Sequence, residues 1–281
     1  MKPPLLTDMT TDCVRYYTGQ RGLTSSTLKI IAIICMFTDH LTAAFEAELS
    51  EAMPFLTLRD GLQIPRIIGR IAFPLFAFMI AEGAGRTRSI HKYMLRLLIF
   101  AFVSEIPFDL ALFHTPLNEV LHETQHQNVF FTLLLGLIAI YVFQLLQKKQ
   151  LEVLSFPVLL ALAYIAEDVL KTDYGAMGVI CIFLFYIFLH APGKARNIGI
   201  VFTLLILPLI ISASPYTLGY SAHIDVSIYY NEYETLSILA LPLILLYNGE
   251  KGKKINKYAF YGFYPGHLMV IWGLYLLFAG E

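Results

Sequence analysis

Charge is scarce in this chain. Lys, Arg, Asp and Glu supply 15% of its 281 residues, where a soluble domain carries about 25%. The net charge of −1 leaves no basic excess for a nucleic-acid partner. Cysteine is nearly absent. Of Cys13, Cys35 and Cys181 the last two lie in apolar runs, and no CxxC or His/Cys spacing points to zinc or a redox pair, so no metal is expected. P-loop, GxGxxG, HExxH and GxSxG signatures are missing, which argues against ATP-driven transport and the common soluble hydrolase designs. There is no low-complexity tract, no clear internal repeat, and too little sequence between apolar runs for an independent soluble domain.

What the chain has instead is apolar length: 57% of it is hydrophobic, and its mean hydropathy is +0.64. Nine apolar segments stand at 28–46, 67–85, 93–113, 128–147, 153–169, 175–191, 197–214, 234–248 and 258–279. Each is near the ~17–25 residues that cross a hydrocarbon layer. The expected fold class is all-α, a polytopic transmembrane helix bundle of about nine spans. Residues 1–27 read as a polar cytoplasmic segment without a cleavable signal-peptide pattern, and residues 28–281 as one integral-membrane domain. The first apolar helix then serves as its own insertion signal.

Lys and Arg set the orientation. With the N-terminus inside, Arg59, Arg66, Arg70 and Lys171 fall outside, and the remaining sixteen of the 20 basic residues fall inside. That bias predicts an N-in, C-out protein of the bacterial cytoplasmic membrane, surrounded by membrane lipids. The outer loops 47–66, 114–127 and 215–233 are polar and aromatic, with His114, Glu119, His122, Glu123 and His126 in the second. They read either as solvated connectors or as a vestibule for a polar partner.

Ionisable residues inside such runs are costly, about 2.5–3.5 kcal/mol each on insertion scales, and mark candidate functional sites. Asp39 and His40 interrupt the first run and lie just outside the midplane, each expected to find a partner on another helix. Arg70 opens the second helix at the same level, and Pro74 is expected to kink that helix. Glu105 in the third helix is placed to pair with His40 as a base or with Arg70 as a salt bridge. Tyr258, Tyr261, Tyr264 and His267 recur every three residues at the start of the last helix. On the inner side Arg86, Arg88, Lys92 and Arg96 crowd into eleven residues. The positive-inside rule accounts for such a cluster; the alternative is a dock for the phosphates of a cytoplasmic donor.

Five stretches in order, KIIAIICMFTDH, GRIAFPLFAFMIAEG, YMLRLLIFAFVSEIPFDLA, QNVFFTLLLG and YAFYGFYPGHL, resemble the TraX family. The match runs from about Lys29 to Leu268. That family is named for a membrane protein that N-acetylates pilin subunits of conjugative pili, and it resembles a wider superfamily of membrane acyltransferases. The resemblance implies an acyl-CoA-dependent acyltransferase, most simply with acetyl-CoA as co-substrate. The acyl group would pass to an amine or hydroxyl of an acceptor at the outer face, a pilin-like protein or a surface glycan or lipid. It makes Asp39 and His40 the leading active-site pair, and places Arg70, Glu105, Tyr261 and His267 in matching stretches. With the reading of the residues above, the candidate catalytic residues are His40, Asp39 and Glu105, and the candidates for binding donor or acceptor are Arg70, Arg86, Arg88, Arg96, Tyr261, Tyr264 and His267. Two other readings stand beside it. One is a proton-coupled transporter or flippase of a surface-polymer or lipid precursor, using the same midplane groups as a relay. The other is a non-catalytic assembly factor whose buried charges only fix helix packing.

Overall fold

The structure is a computed structural model that describes residues 22–57, 63–116, 126–206 and 236–278. Helices run through all four stretches: α1 Ser25–Ala44, α2 Glu46–Ala52, α3 Ile64–Gly69, α4 Ala72–Arg86, α5 Ile90–Leu112, α6 Val129–Gln147, α7 Ser155–Tyr164, α8 Gly175–Leu189, α9 Lys194–Val201, α10 Leu241–Leu245 and α11 Lys257–Phe278. Helices α7 and α9 each continue into one π turn, Ile165–Val169 and Phe202–Ile206. A 3₁₀ turn, Leu236–Ala240, leads into α10. Among the described residues there is no strand, only three isolated bridges. The all-α expectation therefore holds, and each of the nine apolar segments carries helix. Three helical stretches, Ser25–Ala44, Ile64–Arg86 and Val129–Gln147, are long and apolar enough to cross a membrane. The expected outer-loop residues Arg59, Asp60, Glu119, His122 and Glu123, and the whole of 215–233, lie outside the described residues, as do residues 1–21.

Local chemistry fixes where the helices begin. The Thr24 side chain accepts from the Thr27 amide at the head of α1, three residues ahead of the sequence-based boundary. Ser89 accepts from Lys92 at the head of α5, and Asn128 from Phe130 at the head of α6. Each cap satisfies an amide that the first helical turn would leave without a partner.

The irregularity expected from Pro74 is present one turn ahead of it, at Arg70–Ile71, between α3 and α4. Pro74 has no N–H to give the carbonyl of Arg70 four residues back, and its ring crowds that carbonyl, so the helical stretch is interrupted there. At this break Arg70 meets Asp39 of α1.

Helix α8 forms the middle of the bundle, packed against α4, α6, α7 and α9. The fully buried side chains include Phe78 of α4, Leu137 and Ile140 of α6, and Ile182 and Phe185 of α8. The Phe78 ring meets Phe185 edge-to-face at a centroid distance of 5.8 Å, a geometry favoured by the ring quadrupoles. Gly178 lets α8 approach closely, because a Cβ there would run into Thr132 and Phe73. Close approach at small residues is how helices associate where lipid removes the hydrophobic drive between them.

The last helix returns to the first. Helix α11 packs along α5 and α1. Just before it, residues 246–251 grip the entry to α1: Leu23 N–H donates to Leu246 O (2.8 Å), Asn248 N–H to Leu23 O (2.9 Å) and Ser25 N–H to Glu250 O (2.8 Å). Outward faces stay apolar. Phe102 is 65% exposed, Leu160 62% and Val270 57%, side chains that hydrocarbon rather than water would accept.

Candidate functional site

Helices α1 and α11 bring two histidines together across 227 residues of sequence. His40 Nδ1 lies 2.8 Å from His267 Nε2, and the two rings meet edge to edge through that bond, with centroids 5.0 Å apart and planes 12° from parallel. His267 Nδ1 in turn lies 3.0 Å from the carbonyl of Phe263, one turn back on α11. A carbonyl only accepts, so Nδ1 of His267 carries the proton. In the neutral ring its Nε2 is then a lone pair, and His40 Nδ1 must donate to it. This relay leaves the lone pair of His40 on Nε2. Packing holds the rings in place: Phe263 stacks on His267 at 4.9 Å, and Tyr264 meets His40 edge-on at 5.8 Å. Both histidines are buried.

Asp39 points elsewhere, as a helix neighbour about 100° around must. Its carboxylate takes Arg70 Nη2 at 2.7 Å and Arg66 Nη1 at 3.2 Å. Asp39 and Arg70 are both buried, while the Arg66 side chain keeps 23% exposure. Helix α3 approaches because residue 69 is glycine; a Cβ there would collide with the Asp39 side chain. The ion pair thus pins α3 to α1 beside the histidines.

Glu105 joins neither group. Its Oε2 accepts from the Asn128 amide at 3.3 Å and from the Asn128 side-chain Nδ2, while Nδ2 also reaches the Ala101 carbonyl at 2.8 Å. The carboxylate ties α5 to the head of α6. The pairings with His40 or Arg70 drawn from sequence are not made: Arg70 binds Asp39 and His40 binds His267.

Below the histidines a cavity of about 450 Å³ runs between α1, α4, α5, α6 and α11. Next to the histidines it is lined by Met36, Phe130, Leu133 and Tyr264, and Tyr264 is the ring that stands between the cavity and His40. The Tyr264 hydroxyl is buried with no hydrogen-bond partner among the described residues. From Ser25 at one end to Met36 at the other, α1 contributes a wall ~16 Å long at 1.5 Å per residue. The opposite end is basic, lined by Lys29, Arg86, Arg96, Lys251, Lys253, Lys254 and Lys257 against one acid, Glu82. Glu82 is taken by Arg86 at 2.7 Å and by the Tyr247 hydroxyl at 2.6 Å.

Of the residues singled out by sequence, Arg86, Arg96, Tyr261 and Tyr264 line this cavity, and His40 and His267 meet just beyond it. Arg88 and Lys92 are exposed outside it. Tyr258 is exposed too, with the Lys257 ammonium 4.9 Å from the centre of its ring.

Sequence reasoning missed Lys29, Lys251, Lys253, Lys254 and Lys257 as site residues. Four of them cluster visibly in the run Lys251-Gly-Lys-Lys-Ile-Asn-Lys257, but the positive-inside rule explains that run equally well. It also missed Arg66 as a partner of Asp39, and Asn128 as the partner of Glu105. Near the other end of α11, His114 stacks on Tyr275 at 3.7 Å, and His126 stacks on Phe113 at 5.4 Å. Among the described residues no group of three His, Cys, Asp or Glu side chains is arranged to hold a metal.

No solved structure matches the chain. A curated relative does: "Probable fimbrial assembly protein FimC, serogroup H1" of Dichelobacter nodosus is 29% identical over 253 residues, which cover 87% of this chain and 92% of that protein. The family model described as TraX protein matches residues 24–275. That span takes in the histidine pair, the Asp39–Arg70 ion pair, the cavity and the lysines at its mouth, and the chain belongs to the TraX family.

Proposed function

We propose that this protein is a membrane-bound acyltransferase that moves an acyl group, most simply acetyl, from cytoplasmic acyl-CoA to an acceptor amine or hydroxyl on the outer side. The observation that carries the reading is the cavity: basic at one end, apolar along its length, and closed by Tyr264 one ring short of His40. That profile suits a ligand with phosphates at one end and a thioester at the other. Nine spans with the N-terminus inside and the C-terminus outside, in the cytoplasmic membrane of a bacterium, fit the same picture, since the basic mouth then faces the cytoplasm where acyl-CoA is made. The Dichelobacter relative is named for fimbrial assembly, which favours a pilin-like acceptor protein over a surface glycan or lipid.

The chemistry follows from the tautomers. His40 Nε2 takes the proton of the attacking amine or hydroxyl, and the new C–N or C–O bond forms at the thioester carbonyl. The C–S bond then breaks, and the departing thiolate receives that proton from His40. While His40 holds two protons, its Nδ1–H bond to His267 spreads the charge, and His267 remains anchored on the Phe263 carbonyl. The Tyr264 hydroxyl supplies a donor for the carbonyl oxygen as it becomes negative. Arg70, the other candidate for that task, is committed to Asp39.

Purified protein incubated with acetyl-CoA labelled in the acetyl group is expected to transfer label to a pilin-like acceptor, or to release labelled acetate slowly to water. Protein that does neither, while binding CoA no better than an unrelated membrane protein, would sink the reading. Tyr264→Phe keeps the ring against His40 and removes only the hydroxyl. Its expected cost is about 10²–10³ in kcat, the range for losing one oxyanion donor. The check is a kcat and KM pair for acetyl-CoA, with KM nearly unchanged; a rise in KM at constant kcat would instead make Tyr264 a binding residue.

A further inference from the structure

The segment Tyr247–Lys254 is built as a strap across the cavity mouth. On one side Glu82 of α4 holds the Tyr247 hydroxyl, and Arg86 Nη1 donates to the Gly249 carbonyl at 2.9 Å. On the other side Ser26 N–H donates to the Lys251 carbonyl at 3.1 Å, and the Ser26 hydroxyl is within hydrogen-bond reach of the carbonyls of Lys251 (2.6 Å) and Lys253. Gly249 and Gly252 sit at φ of 77° and 69°. These left-handed turns are open to glycine at little cost and fold the strap back on α1. At Gly252 a Cβ would also strike Thr24, the cap of α1.

Backbone bonds at the start of α1 and side-chain bonds from α4 thus fix the strap, while Lys251, Lys253 and Lys254 line the cavity. None of the three is in an ion pair with a carboxylate among the described residues. Lys29 stands close enough to Lys251 to feel its charge. The one acid of the lining, Glu82, is already shared by Arg86 and Tyr247. Positive-inside bias explains lysines on this side of the membrane. It does not explain three of them set onto one cavity by two glycine turns and a serine clasp.

We propose that this strap is a phosphate clamp, in which Lys251, Lys253 and Lys254 bind the phosphorylated nucleotide end of the donor while the apolar shaft takes its thioester arm. The proposal rests on the acyl-donor reading for the arm, but the clamp itself requires only a nucleotide carrying more than one phosphate. Lysine suits this role as a mobile point charge that can follow phosphates of differing geometry. The same chemistry would also accept an anionic lipid headgroup, so the test separates the two.

Full-length protein in detergent is titrated with coenzyme A, with adenosine 3′,5′-bisphosphate, which has phosphates and no arm, and with acetyl-pantetheine, which has the thioester and no nucleotide. The variant is K251Q/K253Q/K254Q, with K251R/K253R/K254R as the charge-preserving control. Affinity for coenzyme A and for the bisphosphate is expected to fall at least tenfold in the glutamine variant, with a shallower salt dependence, and to return in the arginine variant. The loss with coenzyme A should exceed the loss with acetyl-pantetheine at least tenfold. Equal losses for all three probes, or no loss for the bisphosphate, overturns the clamp. So does a repeat in nanodiscs in which phosphatidylglycerol, compared with phosphatidylcholine, abolishes bisphosphate binding, because the lysines then serve a headgroup. Lysine-dependent bisphosphate binding without any turnover of acetyl-pantetheine or acetyl-CoA would keep the clamp and remove the acyltransferase reading instead.

Discussion

His40→Ala is expected to abolish acyl transfer, with a loss of at least ~10²–10⁴ in rate, the range for removing a positioned general base. The same variant should still insert into membranes and keep its helical content. The His40 ring is buried against Tyr264 and His267 rather than holding two elements by charge, so its removal leaves a small void and breaks one hydrogen bond. The hydrogen-bond relay sharpens the expectation. Because Phe263 fixes the proton on His267 Nδ1, His40 presents Nε2 as its free lone pair. His40→Gln can bond to His267 through its amide but offers no basic nitrogen, and should be as inactive as His40→Ala. Label transfer from acetyl-CoA, measured beside membrane recovery, checks both. An inactive variant that is also lost from the membrane fraction would mean a packing role, and a fully active one would end the proposal for His40.

Much of this arrangement is legible in the sequence, and what is not has a physical reason. Helix positions are readable because an apolar run long enough for a bilayer has few alternatives to helix once backbone polar groups must be satisfied internally. Asp39 and His40 stand out because an ionisable side chain in such a run carries a cost that packing alone does not demand. His267 stands out as the last of four polar residues spaced three apart on α11. Pairing is harder to read. His40 and His267 both look functional, but which side chain meets which depends on helix rotation and tilt, which periodicity does not supply. Glu105 shows the consequence. At the right depth for His40, it faces Asn128 instead and fastens α5 to α6. Pro74 is legible as well: the break it signals lies at Arg70–Ile71, at the carbonyl four residues back that the proline leaves without a donor. The strap lysines are invisible as a site because membrane orientation and ligand binding ask for the same residues on the same side.

Asp39→Ala should act on stability where His40→Ala acts on chemistry. The Asp39 carboxylate is shared by two guanidiniums, Arg70 at 2.7 Å and Arg66 at 3.2 Å. Arg70 is buried with it. Removing one partner of a buried pair costs about 3–5 kcal/mol, because the remaining charge keeps its desolvation penalty and loses its attraction. Arg66 is partly exposed and can turn to water, so Arg66→Ala should cost less than half as much. The consequence reaches the site through geometry. Helix α3 touches α1 at Gly69, directly against Asp39, and releasing that contact loosens the segment of α1 that carries His40 one residue on. The expected result is a melting temperature in detergent lowered by several degrees, with activity falling in proportion to the unfolded fraction rather than ahead of it. Asp39→Asn should fall between, since the amide oxygen still accepts from Arg70 but brings no charge. An Asp39→Ala protein with unchanged melting temperature and no transfer would overturn this division and give Asp39 a direct part in the reaction.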